Sequence, residues 1–85
     1  MAKYNVAISK TAEKQLDKLS DNVANPILNT IATLADNPRP HGYKKLKGRQ
    51  GFRIRLGDYR IIYDIQDKSL IVEIIAVGNR RDIYD

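Results

Sequence analysis

The run Phe52-Arg53-Ile54-Arg55-Leu56-Gly57-Asp58-Tyr59-Arg60-Ile61-Ile62-Tyr63 constrains this chain more than any other segment. Strict alternation of apolar residues with arginine through 52–56 has the period of a half-buried strand, and no helix gathers those positions on one side. Gly57-Asp58 supplies a two-residue reversal, and glycine at the first central position suits a type II′ turn. Such a turn fixes the pairing: Leu56 faces Tyr59, Arg55 faces Arg60, Ile54 faces Ile61 and Phe52 faces Tyr63. The apolar side chains then share one face while Arg53, Arg55 and Arg60 share the other. Like charges directly opposite in a sheet cost about a few tenths of a kcal/mol, so the pattern opposes its own local stability, and such conflicts mark functional sites.

A second reversal at Gln66-Asp67-Lys68-Ser69 returns the apolar strand 70–77 to complete a meander. Continued alternation puts Ile65, Leu70, Val72, Ile74 and Ala76 on the apolar face, with Glu73 opposite Ile62 and Asp64 opposite Ile71. Upstream, Tyr4-Asn5-Val6-Ala7-Ile8 alternates as a short strand. Ser9 offers an N-cap to a helix over 10–19 with Ala12, Leu16 and Leu19 on one stripe. Ser20 or Asp21 can cap a second helix carrying Val23, Ile27, Ile31, Leu34 and Ala35, which Asn37-Pro38 and Pro40 terminate. Pro26 lies near its first turn, where a lost N–H costs less than in mid-helix. His41–Gly51 reads as a basic loop. The expectation is one α+β domain over residues 1–85, with order β-α-α-β-β-β and an antiparallel helical hairpin on one face of a small, mainly antiparallel sheet.

Eighty-five residues with 42% hydrophobic side chains suffice for one small core. The absence of cysteine excludes disulfides and thiolate zinc sites, and a single histidine excludes multi-histidine metal sites, so nothing here asks for a metal or a cofactor. No apolar run approaches the roughly 20 residues of a membrane span, and no signal-peptide segment follows Met1, so the chain reads as soluble and unprocessed. The net charge of +5 is unevenly placed: residues 38–63 carry eight Lys or Arg residues against the single Asp58, while residues 1–37 balance and residues 64–85 are slightly acidic. Scattered basic residues make a solvated face, whereas arginines that converge favour a polyanion such as nucleic acid.

Val77-Gly78-Asn79-Arg80-Arg81-Asp82-Ile83-Tyr84 leaves the last strand through a glycine and adds two guanidiniums and a phenol. If it folds back beside the arginine face, phosphate is the fitting ligand, because guanidinium forks clamp phosphate oxygens and stabilise developing charge. RNA brings its own nucleophile, the 2′-OH, so alignment and charge can carry cleavage. Arginine cannot act as a base near neutral pH, which leaves Tyr84, Lys45 or Lys47 as proton carriers. His41 reads as a solvated loop residue. Asp64 and Glu73 read as salt-bridge partners of the arginines, and Tyr4, Tyr43, Tyr59 and Tyr63 as core or rim aromatics.

Together, Lys45-Leu46-Lys47-Gly48, the "GDYR-IY" block at 57–63 and the "VG-RR--Y" block at 77–84 resemble the RelE family of bacterial toxin–antitoxin ribonucleases. The resemblance implies a cytoplasmic toxin that enters the ribosomal A site, cuts mRNA without a metal, and is held inactive by an acidic, helical, RelB-like antitoxin. It implies a monomer when free and a hetero-oligomer with the antitoxin. Carried over by motif, Arg60 would hold the scissile phosphate, Arg80 would assist at the phosphate or leaving group, and Tyr84 would stack on the nucleotide. Lys45, Lys47, Arg53, Arg55 and Arg81 would be further RNA contacts. In the best-known members the strand before the Gly-Asp turn carries lysines, one of them proposed as general base. Arginine occupies both positions here, which points to Tyr84 or solvent as the proton acceptor. The related ParE family shares the fold but poisons DNA gyrase, and a non-catalytic basic RNA-binding module is a further alternative.

Overall fold

The computed structural model describes residues 3–79. Its elements are β1 (Asn5–Ile8), α1 (Lys10–Asp17), α2 (Asp21–Asp36), β2 (Lys44–Lys45), β3 (Phe52–Leu56), β4 (Tyr59–Gln66) and β5 (Ile71–Asn79). The five strands form one sheet in the order β1-β5-β4-β3-β2. Only β1 runs parallel to its neighbour, β5; the other pairings are antiparallel. This is the expected α+β architecture with one short strand added. Lys44–Lys45 falls inside the expected basic loop, where a two-residue strand has no period of its own; pairing with Arg53 and Phe52 creates it.

Each helix starts where a cap was expected. Ser9 Oγ accepts a 3.0 Å hydrogen bond from the Ala12 amide, satisfying one of the amides that open α1. Ser20 precedes α2 in extended conformation. Pro26 lies inside α2, at its sixth residue, deeper than the first turn. Asn22 and Pro26 are both exposed, so water reaches the carbonyl that Pro26 leaves without its helical donor.

The helices cover one face of the sheet. Ala12 and Leu16 of α1 and Ile27, Ile31 and Leu34 of α2 enclose a core with Ile61, Tyr63, Val72, Ile74 and Val77. Tyr63 is fully buried, and its hydroxyl donates a 2.7 Å hydrogen bond to the Pro38 carbonyl, tying the sheet to the end of α2. Burial pushes that phenol up to about 12, with the neighbouring Tyr43 adding to the effect.

The hairpin register is the expected one, with Arg55 opposite Arg60 and Phe52 opposite Tyr63. Gly57 has φ of +60° and Asp58 does not enter the positive-φ region, consistent with type II′ rather than type I′. The pairing of β4 with β5 departs from expectation. Ile62 pairs with Ala76 but Tyr63 pairs with Ile74, so Ile75 is an extra residue in a β-bulge. The bulge reverses the alternation: Val77, not Ala76, enters the main core, and Ile75 and Ala76 pack on the opposite face against Ile62. Closer to the turn the register also differs from expectation: the connection is 67–70, so Gln66 pairs with Ile71 and Asp64 stands opposite Glu73 rather than Ile71.

Candidate nucleic-acid interface

The face that the helices leave uncovered is built in rows across the sheet. One row runs Arg55–Arg60–Gly78, ending in a residue without a side chain. The next runs Lys44–Arg53–Ile62–Ala76. Arg53, Arg55 and Arg60 therefore converge as the alternation requires. Their exposures differ: Arg55 is exposed, Arg60 half-buried, and Arg53 only 8% exposed. Arg53 thus sits within the sheet surface rather than projecting from it, and a guanidinium so far from water contributes field more than reach.

The basic loop is held on this same face. Leu46, 4% exposed, seats on Ile62 beside Ile75 and Ala76. The loop closes through a 2.9 Å hydrogen bond from the Leu46 amide to the Gly51 carbonyl. Gly51 has φ of +122°, and a Cβ there would stand 3.2 Å from both Leu46 Cδ1 and the Tyr63 carbonyl, so only glycine fits. Gln50 Nε2 donates to Asp64 Oδ2 at 2.8 Å, pinning the far end. Lys47 and Arg49 remain exposed on the loop. Sequence reasoning missed this anchor; a lone leucine among cations is the signal that could have found it.

Lys44 was missed by sequence reasoning. Its register opposite Arg53 puts it on the arginine face, whereas Lys45 lies opposite Phe52 and belongs by register to the helix side of the sheet edge. Asp64 accepts from Gln50 and from the Ile65 amide, and faces Glu73 at the end of the face remote from Arg55 and Arg60. His41 is exposed, as expected for a loop residue. Arg80, Arg81 and Tyr84 lie outside the described residues.

The chemistry of this face is that of an anion platform: fixed guanidiniums on a rigid twisted sheet, flanked by lysines. Among the described residues no group of three or more His, Asp or Glu side chains is placed to hold a metal ion. A cleft of about 350 Å³ opens elsewhere, between α1 and α2, but Glu13, Asp17 and Asp21 line it and would repel a phosphate.

A two-helix cover on a five-stranded mixed sheet whose open face is basic defines a small toxin-like fold, and comparison with known proteins agrees. The family model described as ParE toxin of type II toxin–antitoxin system, parDE, matches residues 6–84. Toxin RelE of Mycobacterium tuberculosis is 34% identical over 83 residues, covering 95% of this chain and 86% of that protein. Among solved structures, the RelBE2 toxin–antitoxin complex of M. tuberculosis matches with TM-score 0.82 and 30% identity over 94% of each chain. The archaeal RelE–RelB complex from Pyrococcus horikoshii matches with TM-score 0.81 and 31% identity, covering 94% of this chain and 97% of that one. The chain belongs to the RelE/ParE family of type II toxin–antitoxin toxins.

Proposed function

We propose that this toxin is a metal-independent endoribonuclease that cleaves mRNA in the ribosomal A site by 2′-OH attack on an arginine-held phosphate. The convergence of Arg55 and Arg60 in one row of the open face, beside Lys44 and Arg53, carries the reading. In it Arg60 contacts the scissile phosphate, Arg80 assists at the phosphate or leaving group, and Tyr84 orients the nucleotide. Lys44, Lys47, Arg55 and Arg81 hold the flanking backbone, Arg53 adds to the field beneath it, and Lys45 supports it from the sheet edge. Electrostatic stabilisation of a phosphorane by preorganised donors needs no metal. Tyr84 or solvent takes the proton.

The partner that silences the toxin is a RelB-like antitoxin, acidic and helical, covering the basic face of a toxin that is otherwise a monomer. The solved RelE relatives include complexes with RelB. No described helix is long and apolar enough to cross a membrane, and ribosome and mRNA place the action in the cytoplasm.

The match to the ParE family model favours one second reading, inhibition of DNA gyrase by the same fold. Purified toxin added to a translation reaction, followed by mapping of mRNA 5′ ends, distinguishes the two. Codon-positioned cuts that require the ribosome support the nuclease. Intact mRNA with dose-dependent loss of gyrase supercoiling overturns it. Intact mRNA and salt-sensitive RNA binding leave only a basic binding module.

A further inference from the structure

The bulge in β5 decides what stands opposite Arg60, and α1 holds that bulge. Pairing of β1 with β5 ends at Ile8 and Ile74, so beyond Ile74 that edge of β5 has no strand beside it. Three groups at the start of α1 and within it occupy the edge instead. The Ser9 amide donates to the Ile74 carbonyl at 2.9 Å, and Ser9 Oγ donates to the Ile75 carbonyl at 2.8 Å. Gln15 Oε1 accepts from the Val77 amide at 2.6 Å. Ser9 thus bonds two consecutive carbonyls, which a regular strand would point to opposite sides, and Gln15 takes an amide two residues on. A bulge strands such groups, and left unbonded each opposes the distorted backbone.

We propose that Gln15, acting with Ser9, is a positioning residue for the toxin's reaction: it locks the register that sets Gly78 opposite Arg60. Shifting the alternation of β5 by one residue would turn Val77 or Asn79 toward the arginine face and fill the space Gly78 leaves beside Arg60. Gln15 touches no reacting atom. It borders an open cleft of about 210 Å³ with Lys18, Leu19 and Tyr59, so a side chain of similar length fits without overpacking. The proposal rests on the nuclease reading for its effect on rate, but not for its effect on β5.

The test compares Gln15→Met, which keeps length and loses the acceptor, with Gln15→Glu, which keeps an acceptor oxygen. Hydrogen exchange at the Val77 amide should quicken about tenfold or more in Gln15→Met, while exchange at Val72 and Ile74 stays at the wild-type rate. The single-turnover mRNA cleavage rate should fall about tenfold to 100-fold, with the half-saturating ribosome concentration unchanged, as expected for a displacement near the reacting phosphate. Gln15→Glu should restore both. Val77 exchange at the wild-type rate in Gln15→Met, or loss of protection spread over the whole core, overturns the proposal. So does cleavage that is unaffected while Val77 exchange quickens. A wild-type toxin that cuts no mRNA overturns the nuclease reading instead, and the Val77 measurement still decides whether Gln15 holds the bulge.

Discussion

Arginine is used in two opposite ways in this molecule. At one corner Arg39 forks onto Asp67, with nitrogen–oxygen distances of 3.2 and 2.8 Å, and Tyr4 donates to the same carboxylate at 2.7 Å. That cluster joins the start of the chain, the loop after α2 and the β4–β5 turn, each charge meeting its opposite. On the open face Arg55 instead stands across from Arg60, with Lys44 and Arg53 in the next row. The first arrangement satisfies charge locally and serves the fold. The second gathers guanidiniums on one surface, which raises the potential that draws a polyanion.

Removing Arg60 should separate these roles most sharply. Arg60→Ala is expected to lower ribosome-dependent mRNA cleavage by about 100–1000-fold, the scale for losing one preorganised donor to a developing anion. Circular dichroism of the variant shows that the loss is read from folded protein. Cleavage at the wild-type rate would make the open face a binding surface and no more.

Tyr63→Phe probes the fold side with the next largest effect. It removes the hydroxyl that satisfies the Pro38 carbonyl in the core, so urea titration should show a loss of about 1–2 kcal/mol with cleavage per folded molecule unchanged. The pH dependence has a definite sign. The phenol's folded value is raised to about 12, against roughly 10 when unfolded. Its contribution is therefore complete below about pH 10 and lost as pH rises through about 12. Tyr63→Phe should lack that alkaline decline.

Arg55→Ala probes the open face through binding rather than cleavage, since Arg55 is exposed there. In RNA-binding titrations the logarithmic salt dependence should shrink by about one, as for loss of one phosphate contact. A salt slope identical to wild type would place the RNA elsewhere.

The half of the molecule that could be read in advance is the half specified by adjacent residues. Alternation through Phe52–Leu56 and the Gly57-Asp58 turn are local, so the β3–β4 register and the convergence of Arg53, Arg55 and Arg60 followed directly. The bulge was illegible because Ile74-Ile75-Ala76-Val77 is apolar throughout and either alternation buries a hydrophobe; the choice falls to Ser9 and Gln15, distant in sequence. Lys44 escaped for a related reason, since its face depends on pairing with Arg53 rather than on its neighbours. Burial of Arg53 was equally hidden, because a regular alternation gives the side on which a residue lies but not what folds over it.

The smallest effect belongs to Asp67→Asn, and it completes the contrast between paired and massed charge. Arg39, first, and then Tyr4 hold the Asp67 carboxyl below the usual carboxylate range through hydrogen bonds, while Asp67 raises Tyr4 in return. Both side chains of the ion pair are about half exposed, so solvent screens most of its worth. Because the folded value lies below the unfolded value of about 3.9, the contribution is present above that pH and disappears as pH falls through the folded value. Asp67→Asn should therefore lower the melting temperature slightly at neutral pH, have no effect on cleavage, and make acid unfolding less steep below about pH 4. A loss of cleavage in this variant would mean that the two uses of arginine are coupled through the sheet, since the Asp67 cluster sits at the end of β4 opposite to Arg60.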